Sequence, residues 1–184
     1  MTLTKTPICD FGKKADNFNL KSTENKMISL NDVKGESGTL IMFICNHCPY
    51  VKAVIEEIVS DCKELEKEGI KSVAIMSNDT VNYPDDSFEK MIEFSKDNGF
   101  SFPYLIDETQ EIAKTYDAVC TPDFFGYNNN LELQYRGRIR ELKDLKPVQG
   151  GESDLLNAMR MIGKTGKGPK DQIPSMGCNI KWFN

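Results

Sequence analysis

Hydrophobic residues change their period several times along this chain, and each change marks a new element. Residues 38–44 carry Leu40, Ile41, Met42, Phe43 and Ile44 in unbroken succession, the pattern of a strand covered on both faces. From 49 to 67 the apolar residues fall at Val51, Val54, Ile55, Ile58, Val59, Cys62 and Leu65, a three-and-four spacing that predicts a helix with one buried face. This is the longest helix signal in the chain. Residues 70–76 predict a second strand. Asp86 followed three residues later by Glu89 is a capping pattern, and Phe88, Met91 and Ile92 then supply the apolar face of a helix ending near Gly99. Residues 102–106 predict a third strand, after which Asp107 with Gln110 repeats the capping pattern ahead of Ile112, Ala113 and Tyr116. Residues 124–127 and 131–135, joined by Asn128, Asn129 and Asn130, predict a hairpin whose asparagines tolerate positive φ. A last helix is predicted over 154–162, stopped by Gly163. Upstream, residues 16–20 and 26–30 flank polar Ser22, Thr23, Glu24 and Asn25 and predict a short hairpin.

Strands alternating with helices, closed by a hairpin and a final helix, describe an α/β protein with a central mixed sheet flanked by helices. The sheet is expected to be parallel in its first part and antiparallel at the end. This is the element order of a thioredoxin-like fold with an N-terminal extension that holds the first hairpin. Gly163, Gly166, Gly168 and Pro169, interleaved with lysines, have the composition of a linker. The chain is therefore expected to divide into a domain over 1–163 and a linker with a C-terminal tail over 164–184. That tail carries Ile180, Trp182 and Phe183, which are unfavourable in water, so it is expected to dock on its own domain or on a partner subunit.

Composition narrows the function classes. A length of 184 residues suits one domain with a real core. Lysine plus arginine (23) against aspartate plus glutamate (28) gives a net charge of −5 with no basic cluster, which argues against nucleic acid as a partner. The longest apolar run, 40–45, is far too short to span a bilayer, so no membrane partner is expected. No apolar signal core follows the N-terminal lysine, and the expected location is the cytoplasm. Six cysteines in such a chain are expected to be reduced, catalytic or metal-binding. The one histidine excludes a multi-histidine metal site and confines all imidazole chemistry to His47.

His47 lies in Cys45-Asn46-His47-Cys48, the turn between the first buried strand and the long helix. A helix N-terminus has unpaired N–H groups and the positive end of the helix dipole, both of which stabilise a thiolate. Cys45 is the expected nucleophile and Cys48 the resolving thiol, two residues away and within reach of a mixed disulfide. A protonated His47 would lower the thiolate pKa and favour the reduced dithiol. Pro49 is tolerated as the first helical residue. The competing reading is a zinc or copper(I) site. Cys45 and Cys48 would be completed by Cys120 and Cys178, or by His47, although no second Cys-x-x-Cys pair exists. Thiol–disulfide exchange needs no bound organic cofactor, and the expected partner is a protein or small-molecule thiol or disulfide.

Several blocks together resemble peroxiredoxin-like thioredoxin-family proteins of the alkyl hydroperoxide reductase and thiol-specific antioxidant superfamily. They are residues 43–51, 77–79 and 83–85, Phe102-Pro103-Tyr104-Leu105-Ile106-Asp107 with residues to 110, Cys120-Thr121-Pro122-Asp123-Phe124-Phe125, 135–137, and Gly177-Cys178-Asn179-Ile180-Lys181-Trp182. The resemblance implies a thioredoxin fold and a thiol–disulfide role. In true peroxiredoxins the peroxidatic cysteine lies at the position of Cys48, with a threonine three residues earlier and a proline seven earlier; here Cys45 and Ile41 stand there. The family's thiolate-pairing arginine falls at Thr121, so peroxide cleavage lacks positioned donors. The resemblance also implies a cis bond at Thr121-Pro122, facing the turn, with the Thr121 backbone available to pair with a substrate.

The remaining groups are assigned by position. Cys62 lies on the apolar stripe of the long helix and is expected in the core. Cys120, one residue before Thr121, is either a third redox thiol or a buried thiol beneath the site. Cys178, in the docking tail, is a candidate resolving thiol; nothing distinguishes Cys9. Arg136, Arg138 and Arg140 are expected as solvated or ion-paired surface, and Asp85 and Asp86 as helix capping.

Overall fold

The computed structural model of the chain describes residues 2–183. In chain order the elements are β1 (Leu3–Lys5), β2 (Asn19–Ser22), β3 (Met27–Ser29), α1 (Leu30–Val33), β4 (Gly38–Phe43), α2 (Pro49–Lys67) and β5 (Ile70–Met76). A short 3-10 turn (Pro84–Asp86) leads to α3 (Phe88–Asp97), β6 (Tyr104–Ile106), α4 (Glu111–Thr115), β7 (Cys120–Thr121), β8 (Asp123–Asn128) and β9 (Leu133–Tyr135). The chain continues through β10 (Leu142–Lys143), β11 (Lys146–Pro147), α5 (Asp154–Thr165) and β12 (Met176–Asn179).

Seven strands form the central sheet in the order β3-β2-β6-β5-β4-β8-β9. Strand β4 runs parallel to β5, and β5 to β6, whereas β8 and β9 are antiparallel, as the alternation of elements predicts. The unbroken apolar run of β4 is explained by its central place. Leu40 and Met42 face the core beneath α2 and α5, and Ile41 and Phe43 face a second core on the other side with Leu30, Ala113 and Tyr116. This is the mixed, helix-flanked sheet of a thioredoxin-like fold.

Four local boundaries differ from the sequence reading. The first hairpin pairs 19–22 with 27–29, and Leu30 begins α1 instead of ending a strand, because Ser29 and Asp32 form a capping box. In the β8–β9 loop the positive φ belongs to Leu131 (57°), while the Asn128 side chain accepts the backbone N–H groups of Asn130 and Glu132. Helix α5 runs through Gly163 and ends at Gly166, whose φ of 73° supplies the left-handed cap. Arg136 is not at the surface: it is buried and pairs with the buried Asp123 through two guanidinium nitrogens at 3.2 and 2.9 Å. Arg138 and Arg140 do form ion pairs, with Asp154 and Glu57.

The chain after α5 returns to the body of the protein. Strand β12 lies between β1 and β7 in a separate three-stranded antiparallel sheet, with Cys178 opposite Thr121. Gly177 makes this possible, since a Cβ there would sit 2.0 Å from the Thr121 carbonyl oxygen. Beyond β12, Lys181 N–H donates to Asn78 Oδ1, and the Gln110 amide donates to the Lys181 carbonyl and accepts from Phe183 N–H. Ile180 is buried, while Trp182 and Phe183 stay partly exposed. Met1 and Asn184, the outer ends of the two predicted segments, lie outside the described residues.

One buried acid couples α2 to α5. Asp61 accepts the Ser153 hydroxyl at 2.6 Å, and the same hydroxyl oxygen caps α5 by accepting Leu156 N–H at 3.0 Å. Burial pushes the Asp61 carboxyl up from 3.8 to about 6. The folded protein then holds this proton where the unfolded chain has lost it. Stability is complete below 3.8 and falls as pH rises towards 6, by about 3 kcal/mol at about 1.4 kcal/mol per pH unit. Asp61→Asn keeps an acceptor for Ser153 and is expected to abolish that slope. Denaturant melts of both proteins between pH 4 and 7 test it, and parallel pH profiles would contradict it.

Candidate redox site

Cys45 lies two residues beyond Phe43, the end of β4, and Cys48 is the N-cap of α2, with Pro49 first in the helix. The turn places both sulfurs against the β7–β8 connection, where the Thr121–Pro122 peptide bond is cis. Cys45 Sγ lies 3.5 Å from Thr121 Oγ1, and Cys48 Sγ lies 3.1 Å from the Thr121 carbonyl oxygen. From β12, Cys178 Sγ approaches Cys48 Sγ to 2.8 Å. Three sulfurs therefore converge on one corner, and all three are buried. A cavity of about 200 Å³ adjoins it, lined in part by Tyr50, Val54, Pro122, Ser175 and Met176.

The charge distribution differs from the one expected of a helix-starting nucleophile at Cys45. The hydrogen bond shared with Cys48, burial and the Asp86 carboxylate all push the Cys45 thiol up. Cys48 is lowered to about 5 by hydrogen bonds from Cys45, Cys178, Thr121 and the Val51 backbone N–H, against burial. Of the two motif thiols, Cys48, the cap of α2, is therefore the one favoured to ionise. Burial pushes Cys178 up to about 12. Cys120 donates to the Pro122 carbonyl at 3.6 Å and is raised by burial, the behaviour of an inert buried thiol. Cys62 packs in the core as expected, and Cys9 is buried in the opposite core.

Asp86 does not cap α3; Ser87 does, accepting Lys90 N–H. The Asp86 carboxylate is fully buried beneath the turn, where Oδ1 accepts the backbone N–H groups of Asn46 (2.8 Å) and His47 (3.3 Å). Its Oδ2 lies 2.6 Å from His47 Nδ1 and accepts from Asn78 Nδ2 at 2.8 Å. Burial pushes this carboxyl up, but the bonds from His47, Asn78 and Asn46 outweigh it and leave it below its ordinary value. The same bond raises His47 above 6.5. The imidazole stacks on Tyr83 with ring centres 5.8 Å apart, and Lys181 Nζ lies 5.8 Å from the Tyr83 ring centre. Tyr104 closes the network by donating its hydroxyl to Asn46 Oδ1. The sequence reading assigned Asp86 to helix capping and missed Asn78, Tyr104 and Lys181. The sequence signal available was that Asn78, Tyr104 and Lys181 all lie in blocks carrying the family resemblance.

A metal ion has one candidate set among the described residues. Cys45 Sγ, His47 Nδ1 and an Asp86 oxygen lie within 4.8 Å of one another. The two harder ligands are bonded to each other at 2.6 Å, so the geometry is that of a hydrogen-bonded pair.

A cysteine-bearing strand-to-helix turn facing a cis-proline connection on this sheet places the chain in the thioredoxin-fold class of thiol–disulfide proteins. Residues 11–142 match the model of the AhpC/TSA family, and the chain belongs to that family. It is 27% identical over 117 residues to the thiol-disulfide oxidoreductase ResA of Bacillus subtilis, a match covering 64% of this chain and 61% of ResA. The chain thus spans less than two thirds of that relative's length. An uncharacterized conserved protein from Geobacillus kaustophilus has a solved structure with 39% identity and a TM-score of 0.94, covering 100% of this chain and 97% of that one. A secreted Mycobacterium tuberculosis disulfide oxidoreductase homologous to Escherichia coli DsbE shares the fold, at 15% identity and a TM-score of 0.55 over 64% of this chain and 80% of its own.

The chain thus pairs two close sulfurs, Cys48 and Cys178, with a similarity over part of its length to thiol–disulfide oxidoreductases. The relatives correct the expected location: those of ResA and DsbE type, one of them described as secreted, argue against the cytoplasm. Among the described residues no helix is long and apolar enough to cross a membrane.

Proposed function

We propose that this chain is a thiol–disulfide oxidoreductase in which Cys48 is the attacking sulfur and Cys45 closes the ring with it. The observation that carries this reading is the position of Cys48 as N-cap of α2, with its thiol lowered to about 5 while Cys45 is raised. It reverses the order of roles expected from the motif alone. The Cys48 thiolate attacks a substrate disulfide and expels one thiolate; the Cys45 sulfur then attacks Cys48 and expels the other. Two cysteine thiols become one disulfide as the substrate gains two electrons, and the protons of the two cysteines end on the released thiols. The substrate is a protein or small-molecule disulfide, entering beside Tyr50 and Pro122. His47 and Asp86 are positioning residues that hold the turn.

Ultraviolet absorbance of thiolate across a pH titration tests this assignment. One cysteine is expected to ionise near pH 5, and Cys48→Ser is expected to remove that transition and reduce insulin-disulfide reduction to the background rate. A titration in which no thiol ionises below pH 8 would overturn it.

Membership of the AhpC/TSA family and the Cys48 thiolate favour a second reading, peroxide reduction at Cys48. It ranks behind the first because Cys45 and Thr121 stand where true peroxiredoxins carry the threonine and the arginine that position the peroxide. Peroxide consumption by Cys45→Ser and Cys48→Ser separates the two.

A further inference from the structure

Accepting Cys48 as the attacking sulfur, we infer that Cys178 is a second resolving thiol, and that the oxidised protein carries a Cys48–Cys178 disulfide in exchange with Cys45–Cys48. The two sulfurs are 2.8 Å apart, about 0.8 Å from bonding distance. Their approach is built into the backbone. Cys178 lies opposite Thr121 in the β12–β7 ladder, and Gly177 lets the tail lie against the Thr121 carbonyl. Strand β12 thus holds the edge of Thr121 that a substrate peptide would otherwise pair with, and presents a sulfur to Cys48 there. Asn78 and Gln110 fix the segment that follows, so Cys178 is held in register from both sides.

The chemistry balances without a further reagent. After Cys48 attacks a disulfide RS–SR′ and expels R′S⁻, the Cys178 sulfur attacks Cys48 Sγ. The Cys48–Cys178 bond forms, the Cys48–SR bond breaks, and its electron pair leaves on RS⁻, which takes the proton given up by Cys178. The substrate has gained two electrons, and Cys48 and Cys178 have lost them. Attack by Cys45 on the new bond moves the disulfide to Cys45–Cys48 and returns a proton to Cys178, with no net oxidation.

The test is oxidation of the full chain with glutathione disulfide, followed by alkylation and mass mapping. In Cys45→Ser the expected product is Cys48–Cys178, since Cys178 is then the thiol left within reach of the mixed disulfide on Cys48. In the Cys45→Ser, Cys178→Ser double variant the reaction is expected to stop at glutathionylated Cys48. Glutathionylated Cys48 with alkylatable Cys178 in the single variant would overturn the inference and leave the role of Cys48 intact. Failure of Cys48 to form any disulfide in the wild-type chain would instead overturn the underlying reading. Thermal melts of each variant confirm that it is folded.

Discussion

Asp86→Ala is expected to cost about 3–5 kcal/mol of folding stability, the range for removing one partner from a buried charged pair. The carboxylate is fully buried and serves four donors: two backbone N–H groups of the Cys45–Cys48 turn, the Asn78 amide and His47 Nδ1. Alanine leaves the N–H of Asn46 unpaired inside the protein, which alone costs about 1–3 kcal/mol. Asp86→Asn is milder, since Oδ1 can still accept from the turn, but it withdraws the charge that keeps His47 protonated.

The pH dependence identifies the mechanism of that loss. Asp86 is held below 3.8 in the folded state, so its contribution is present above 3.8 and is lost as pH falls through the folded value. His47 is held above 6.5, so its contribution is present below 6.5 and is lost as pH rises through its folded value. The pair is therefore worth most between pH 3.8 and 6.5. The difference in stability between wild type and Asp86→Asn is expected to peak in that window; the Asp61 slope is common to both and cancels. Denaturant melts give the difference, and NMR titration of the one imidazole is expected to show its midpoint falling in the variant. An unchanged His47 midpoint would show that the pair does not set its charge.

The same residue shows how far sequence can be read here. The turn between β4 and α2 was legible because both elements carry their evidence locally, an unbroken apolar run and a three-and-four stripe. Asp86 was misread as a cap because its real partners are 39 and 40 residues away, and local spacing is blind to them. Strand β12 was invisible for a related reason: Met176, Gly177, Cys178 and Asn179 show no alternation, and their partners are β1 and β7. A docking tail could be expected from Ile180 and Trp182, but its register could not. The polarity of the two motif cysteines was also beyond sequence, since it depends on which sulfur the first N–H groups of α2 reach and on which one the Asp86 charge faces.

Arg136→Met is expected to destabilise the protein by about 3–5 kcal/mol, because Asp123 then keeps a buried charge with no counterion. Asp123 is fully buried directly after Pro122, and it also accepts Val119 N–H. Burial pushes its carboxyl up, and the Arg136 guanidinium opposes that. Arg136 additionally donates to the Asp117 carbonyl and lies 4.4 Å from the Phe125 ring centre, so the variant loses packing as well as charge. A second substitution separates these terms. Asp123→Asn keeps an acceptor for Val119 and removes the stranded charge, so the Arg136→Met, Asp123→Asn double variant is expected to recover most of the loss. If the double variant is no more stable than Arg136→Met in urea melts, the cost lies in packing around Phe125. Because the pair braces both ends of the Thr121–Pro122 connection, recovery of stability is also expected to restore the Cys48 thiolate transition near pH 5, which ties the buried ion pair to the sulfur it holds in place.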